Sequence, residues 1–122
     1  MVDWNELWKI RLNQYSDEFL THEVVKLIIV KNILQKYHSK KSYQEIYTEY
    51  PICKGKVADV YWKNNLTKEI IYFEIQKNLS EKWLKETKDI YDKLEGDLVI
   101  IDLNKLSDNL SKINEQVKEL IP

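Results

Sequence analysis

Two short apolar segments joined by a turn constrain the fold of this chain more than any other feature. The first, KVADVYW, covers residues 56–62, and the second, IIYFEIQ, covers residues 70–76. Their Val, Ile, Tyr and Phe residues predict strands, which we place at 57–63 and 69–76. The polar NNLTK between them predicts the turn of an antiparallel hairpin.

Each strand carries one carboxylate among apolar neighbours, Asp59 in the first and Glu74 in the second. A four-residue loop at 65–68 pairs residue 64 with residue 69, and the same register places Asp59 opposite Glu74 on one face. Facing carboxylates repel unless a positive charge lies between them, and Mg²⁺ or Mn²⁺ prefers such oxygen ligands. The alternative is a pair of ordinary surface acids, although an unpaired charge on a central strand would be costly.

The rest of the chain predicts a single α/β domain with a mixed central sheet flanked by helices, over residues 1–122 with a core at 17–103. A helix after NLSE is expected to be capped by Asn78, with Glu81 at its third position, and to end at Gly96. The further predicted elements are helices at 3–15, 17–37 and 105–120, a strand at 43–53 and a strand at 98–103 that is buried on both faces.

Composition narrows the class of protein. The net charge of −1 argues against a strongly basic nucleic-acid binder but leaves room for segregated charge. A single cysteine, Cys53, excludes an internal disulfide, and two histidines leave little material for a structural zinc site. Apolar runs such as LIIV at 27–30 are far shorter than a membrane span, and the N-terminus is unlike a signal peptide. We therefore expect a cytoplasmic, non-membrane protein. Abundant Lys and Ile are compatible with an archaeal or viral source.

The ADV at 58–60 and EIQ at 74–76 resemble the motif of the PD-(D/E)XK nuclease superfamily, the restriction-endonuclease-like fold. That family core is a helix, a three-strand antiparallel meander, a helix and a further strand, which is the order expected over 17–103. Family members often add an acid on the first helix, and Glu23 is placed to match. The chain departs from the motif at Gln76, where the usual residue is lysine, and in this it is similar to the CoiA-like competence proteins.

The resemblance implies Mg²⁺- or Mn²⁺-dependent hydrolysis of DNA phosphodiester bonds. It implies metal ligands at Asp59, Glu74 and the backbone carbonyl of Ile75, with Gln76 orienting a water. Lys26 shares a helical face with His22 and Glu23 and is the candidate for the missing cation, although Glu23 and Lys26 also fit a plain helix ion pair. The alternative is a catalytically inactive domain of the same fold that binds nucleic acid or mediates assembly.

Further basic residues are candidates for contacts with nucleic-acid phosphates or, equally, for solvated loops. They are His22, Lys36, Lys40, Lys41, Lys54 and Lys56. The last helix presents apolar residues at heptad spacing, which predicts packing onto its own domain or, alternatively, a homodimer contact that Trp4 and Trp8 would join. These heptad residues are Leu106, Leu110, Ile113, Val117 and Leu120.

Overall fold

The computed structural model describes residues 17–122 and, within them, the side chains of all but residues 17–20 and Lys41. The predicted helix at 3–15, with Trp4 and Trp8, lies outside the described residues. The helices and strands are α1 (Asp17–Lys36), β1 (Gln44–Cys53), β2 (Lys56–Asn64), β3 (Ile70–Gln76), α2 (Glu81–Tyr91), β4 (Asp97–Asp102) and α3 (Leu110–Leu120). Short 3₁₀ segments at His38–Tyr43 and Leu103–Lys105 complete the order.

The four strands form one mixed sheet in the order β1-β2-β3-β4. The pairs β1–β2 and β2–β3 are antiparallel, while α2 forms the crossover that makes β4 parallel to β3. Helices flank this sheet, so the predicted α/β class is confirmed. None of the described helices is long and apolar enough to cross a membrane.

The predicted hairpin register is also confirmed. Val60 pairs with Phe73 and Lys63 pairs with Ile70, which is the register set by the loop at 65–68. The paired ladder ends at Val60 and Phe73, so the next position along each strand belongs to Asp59 and Glu74. The hairpin therefore brings its two acids to the point where β2 and β3 stop pairing.

The main core lies between α1 and one face of the sheet. Val25, Ile29 and Ile33 of α1 are fully buried against a face that includes Val60 and Phe73. Burying each such side chain contributes about 1.5–3 kcal/mol, which is enough to fix how α1 lies across β2 and β3. On the opposite face, a smaller cluster contains Tyr61, Tyr72 and Tyr91, the last of which comes from α2.

The limits of α2 differ from those predicted. The N-cap is Ser80 rather than Asn78, because the Ser80 hydroxyl accepts a hydrogen bond from the backbone N–H of Trp83. The helix ends at Tyr91, and Gly96 is not its C-terminal residue. Gly96 instead leads into β4 at φ +115°, where an added Cβ would lie 2.8 Å from the carbonyl oxygen of Ile70.

The prediction that β4 is buried on both faces is wrong. Its only buried residue is Ile101, because β4 pairs with β3 alone among the described strands and Asp97 faces solvent. The last helix begins at Leu110 rather than 105, because Asn109 provides its cap by accepting a hydrogen bond from the N–H of Lys112.

The predicted packing of the last helix onto its own domain is confirmed, since α3 lies against α1. Asn114 of α3 accepts hydrogen bonds from Lys31 and Asn32 of α1. Ile113 and Val117 are buried at this contact. The full heptad seam is not formed, because Leu110 is 62% exposed and Leu120 is 41% exposed.

Candidate active site

Three acids from three neighbouring strands lie at the same level of the sheet. Glu49 of β1 falls between Thr48 and Tyr50, which pair with Val60 and Ala58 on either side of Asp59. Glu74 is the next residue of β3 after the last pair with β2. The backbone of Glu49 departs from strand geometry, with φ +52°, a conformation that few non-glycine residues adopt. Glu49, Asp59 and Glu74 therefore form a row across β1, β2 and β3.

Beyond the last paired residues of β2 and β3, the carboxylate of Asp59 accepts a backbone hydrogen bond from β3. Its Oδ2 atom accepts a hydrogen bond of 2.6 Å from the backbone N–H of Ile75 on β3. Its Oδ1 atom lies 3.2 Å from Nε2 of His22 on α1. These two contacts fix the carboxylate at the divergence of the strands, while 16% of the side chain stays exposed to solvent.

Glu74 is deeply buried, with only 6% of its side chain exposed. Its Oε1 atom accepts a hydrogen bond of 2.5 Å from the hydroxyl of Tyr91 and lies 3.5 Å from Nζ of Lys56. Burial and the neighbouring charge of Asp59 raise the pKa of Glu74 to about 7, despite the opposing effects of Tyr91 and Lys56. Burial and, after it, the hydrogen bond to Glu74 raise the pKa of Tyr91 as well, so its hydroxyl remains protonated and donates. Tyr91 and Lys56 therefore stabilise the charged form of Glu74 less than burial and Asp59 destabilise it.

Two residues of α1, Glu23 and Lys26, form an ion pair beside the acids of the sheet. Lys26 is 1% exposed, and its Nζ lies 2.7 Å from Oε2 of Glu23 and 3.5 Å from Oε1 of Glu49. The spacing between Glu23 and Lys26 confirms the predicted ion pair within the helix. Glu49, whose side chain is 27% exposed, adds a third charge to this pair and ties α1 to β1.

His22 lies between two carboxylates. Its Nδ1 is 3.3 Å from Oε1 of Glu23, and its Nε2 is 3.2 Å from Oδ1 of Asp59. Both ring nitrogens donate only when the imidazole is protonated, so this geometry suits the charged form. The hydrogen bond to Asp59 is the main reason that the pKa of His22 is raised above its ordinary 6.5, although burial acts against it.

The structure brings together most of the residues that the sequence singles out. The cluster contains His22, Glu23, Lys26, Lys56, Asp59, Glu74 and Ile75. Gln76 is half-buried two residues after Glu74, at the end of β3, where it pairs with Asp102 of β4.

The other predicted nucleic-acid contacts are dispersed. Lys36 lies near the C-terminal end of α1, where its Nζ donates to the carbonyl of Ile121. Lys40 and Lys54 are exposed, Lys40 in the segment after α1 and Lys54 at the turn between β1 and β2. Lys41 lies beside Lys40, and its side chain is outside the description.

Sequence reasoning missed two residues of the cluster, Glu49 and Tyr91. Glu49 looks like any polar residue of an alternating strand, and its left-handed backbone has no local signal such as glycine or asparagine. Tyr91 looks like an ordinary core residue of an amphipathic helix. The available signal for Glu49 was the pairing of β1 with β2. In that register, Glu49 lies opposite Asp59.

Among the residues that the structure describes, no group of three or more His, Cys, Asp or Glu side chains is arranged to hold a metal ion. No family model, curated protein or solved structure matches the chain.

Proposed function

We propose that this chain is a metal-dependent nuclease that hydrolyses phosphodiester bonds in DNA. The observation that carries the proposal is the meeting of Asp59 and Glu74 where β2 and β3 stop pairing, with the pKa of Glu74 raised to about 7. A buried carboxyl group with a perturbed pKa beside a second carboxylate is typical of functional sites. As Glu74 is buried, the alternative of two surface acids is not favoured.

The donor atoms of Asp59, Glu74 and Ile75 are of the type that a hard divalent cation binds. Asp59 and Glu74 offer carboxylate oxygens, and the backbone carbonyl of Ile75, between Glu74 and Gln76, offers a third oxygen. A cation between the two carboxylates would offset the repulsion that raises the pKa of Glu74. Mg²⁺ or Mn²⁺ would supply an activated water and stabilise the additional negative charge on the phosphate.

The chain's own residues would position these groups. The N–H of Ile75 holds one oxygen of Asp59, and the hydroxyl of Tyr91 holds one oxygen of Glu74. Gln76 would orient a water through its side-chain amide, which cannot supply positive charge. Lys26 forms a buried ion pair with Glu23 and so supports the α1 side of the site.

The element order supports the same proposal. A helix, an antiparallel meander of three strands, a crossover helix and a parallel strand follow one another in α1-β1-β2-β3-α2-β4. This is the order that the resemblance to the PD-(D/E)XK superfamily implies. We therefore propose a restriction-endonuclease-like site in a small intracellular protein, for which a homodimer would supply two sites for the two strands of a duplex.

A cleavage assay tests the function. Single-stranded, duplex and branched DNA are incubated with Mg²⁺, Mn²⁺ or EDTA and with wild type, Asp59→Asn or Glu74→Gln. Glu86→Gln is the matched control, because Glu86 is an exposed acid of α2 whose side chain is 63% accessible. We expect metal-dependent cutting by wild type and the control, and a loss of about 100-fold or more in the two site variants. Cutting by all variants alike, or none by wild type, would contradict the proposal.

A second candidate function is an inactive domain of the same fold that binds nucleic acid or mediates assembly. It is favoured by one observation: cationic side chains already contact both acids, His22 at Asp59 and Lys56 at Glu74. It predicts no hydrolysis with any metal. DNA binding that weakens steeply with salt would then separate nucleic-acid binding from an assembly role.

A further inference from the structure

Three basic side chains lie in the acid cluster, and they differ in what they can reach. Lys26 is 1% exposed and is enclosed by Glu23 and Glu49. His22 is 21% exposed and has a carboxylate at each ring nitrogen. Lys56 is 26% exposed, and the carboxylate that it contacts is Glu74. Lys56 is therefore the most accessible of the three cations.

The position of Lys56 is set by an aromatic ring as well as by charge. Its Nζ lies 5.7 Å from the centre of the Trp83 ring and 3.5 Å from Oε1 of Glu74. Trp83 is half-buried in the first turn of α2, and the cap at Ser80 fixes this turn. Attraction between an ammonium group and the face of a tryptophan ring holds such a side chain without neutralising it.

We propose that Lys56 contacts the scissile phosphate of the nucleic acid bound at this site, and that Trp83 is a positioning residue that holds the Lys56 ammonium group. The inference rests on the proposed function, since it names the cation that this function requires of the chain. In the absence of substrate, Lys56 offsets part of the charge of Glu74. If Glu74 held a divalent cation, the Lys56 ammonium group would no longer be needed to offset its charge and would be available to bind phosphate oxygens. Lys56 keeps its proton throughout and forms no covalent bond.

The same geometry argues against Lys26 in this role. Movement of Lys26 towards a phosphate would break its ion pairs with the buried Glu23 and with Glu49, which is costly inside a protein. Movement of Lys56 leaves only Glu74, which the metal would compensate. Lys26 therefore supports the site, whereas Lys56 is the residue that contacts substrate.

The test compares Lys56→Gln, Lys56→Arg and Trp83→Leu, with Lys112→Gln, an exposed lysine of α3, as the matched control. Cleavage is measured as kcat and KM in Mg²⁺. Affinity for the same DNA is measured against salt concentration with Ca²⁺, a larger ion of the same ligand preference, after a gel confirms that the DNA stays uncut. Mn²⁺ affinity is measured separately, because a merely structural partner of Glu74 would change that value.

We expect Lys56→Gln to lower kcat about 100-fold. The slope of log affinity against log salt should fall by about one, as for a lost phosphate contact, and Mn²⁺ affinity should stay within about threefold of wild type. Lys56→Arg should restore the slope, Trp83→Leu should lower kcat about threefold, and Lys112→Gln should match wild type.

Two results would overturn the inference while the proposed function stands. In the first, wild type cuts and Lys56→Gln cuts equally well with an unchanged salt slope. In the second, Lys56→Gln loses Mn²⁺ affinity while its salt slope stays at the wild-type value, which would make Lys56 a structural partner of Glu74. If wild type cuts nothing with any metal, the proposed function and this inference fall together.

Discussion

Replacing Glu74 with glutamine isolates the electrostatic cost of placing a second carboxylate beside Asp59. Glutamine keeps the size of the side chain and an oxygen that accepts from the hydroxyl of Tyr91, but it carries no charge. In wild type, burial and Asp59 raise the pKa of Glu74 from 4.5 to about 7. Between pH 4.5 and about pH 7, the folded chain therefore binds more protons at Glu74 than the unfolded chain does.

The sign of the effect follows from that difference in proton binding. A raised pKa in the folded state means that the contribution of Glu74 to the free energy of unfolding is greatest below pH 4.5 and falls as the pH rises to about 7. Each pKa unit corresponds to about 1.4 kcal/mol, so a rise from 4.5 to about 7 costs wild type about 3 kcal/mol above that pH. The Glu74→Gln variant lacks this loss.

The assay is urea unfolding followed by tryptophan fluorescence at pH 5, 6, 7 and 8, in EDTA to exclude divalent ions. We expect the stability of Glu74→Gln relative to wild type to increase by about 2–3 kcal/mol between pH 5 and pH 8, because wild type has already lost part of the total at pH 5. His22 is present in both proteins, so its own titration affects both curves. Glu86→Gln, at an exposed ion pair with Lys82, should follow wild type at every pH. Parallel curves for Glu74→Gln and wild type would refute the reasoning.

Two further predictions concern the α1 side of the cluster. Lys26→Met should lower the free energy of unfolding by about 3–5 kcal/mol, because it removes the buried cation that pairs with Glu23 and Glu49. Equal urea midpoints for variant and wild type would contradict this. His22→Gln should destabilise the protein at pH 5.5 and much less at pH 8.5, since the contact with Asp59 raises the pKa of His22 and its contribution is lost as the pH rises through that value. Guanidinium unfolding at both pH values measures the difference, and an equal loss at the two would show that the charge of His22 is not involved.

The hairpin could be predicted because its constraints are local. A short polar turn sets the register, and the register places Asp59 and Glu74 at matching positions without any knowledge of the rest of the chain. The helical spacing of His22, Glu23 and Lys26 is equally local, and the structure confirms that they share a face.

The remaining parts of the cluster depend on tertiary packing. Tyr91 reaches Glu74 because α2 crosses back over the sheet, and helical periodicity does not specify that crossing. The left-handed backbone of Glu49 is held by its surroundings rather than by its residue type. The apolar sequence of β4 suggests full burial, but its position beside β3 alone leaves most of the strand half-exposed.

Mn²⁺ binding tests the central claim most directly, because it addresses the two acids without requiring the correct DNA substrate. The ion is titrated into wild type, Asp59→Asn, Glu74→Gln and Glu86→Gln at pH 8, and free Mn²⁺ is followed by electron paramagnetic resonance. The account predicts a single ion per chain in wild type and Glu86→Gln, and an affinity about tenfold or more weaker in the two site variants. No binding by wild type, or equal binding by all four proteins, would contradict it.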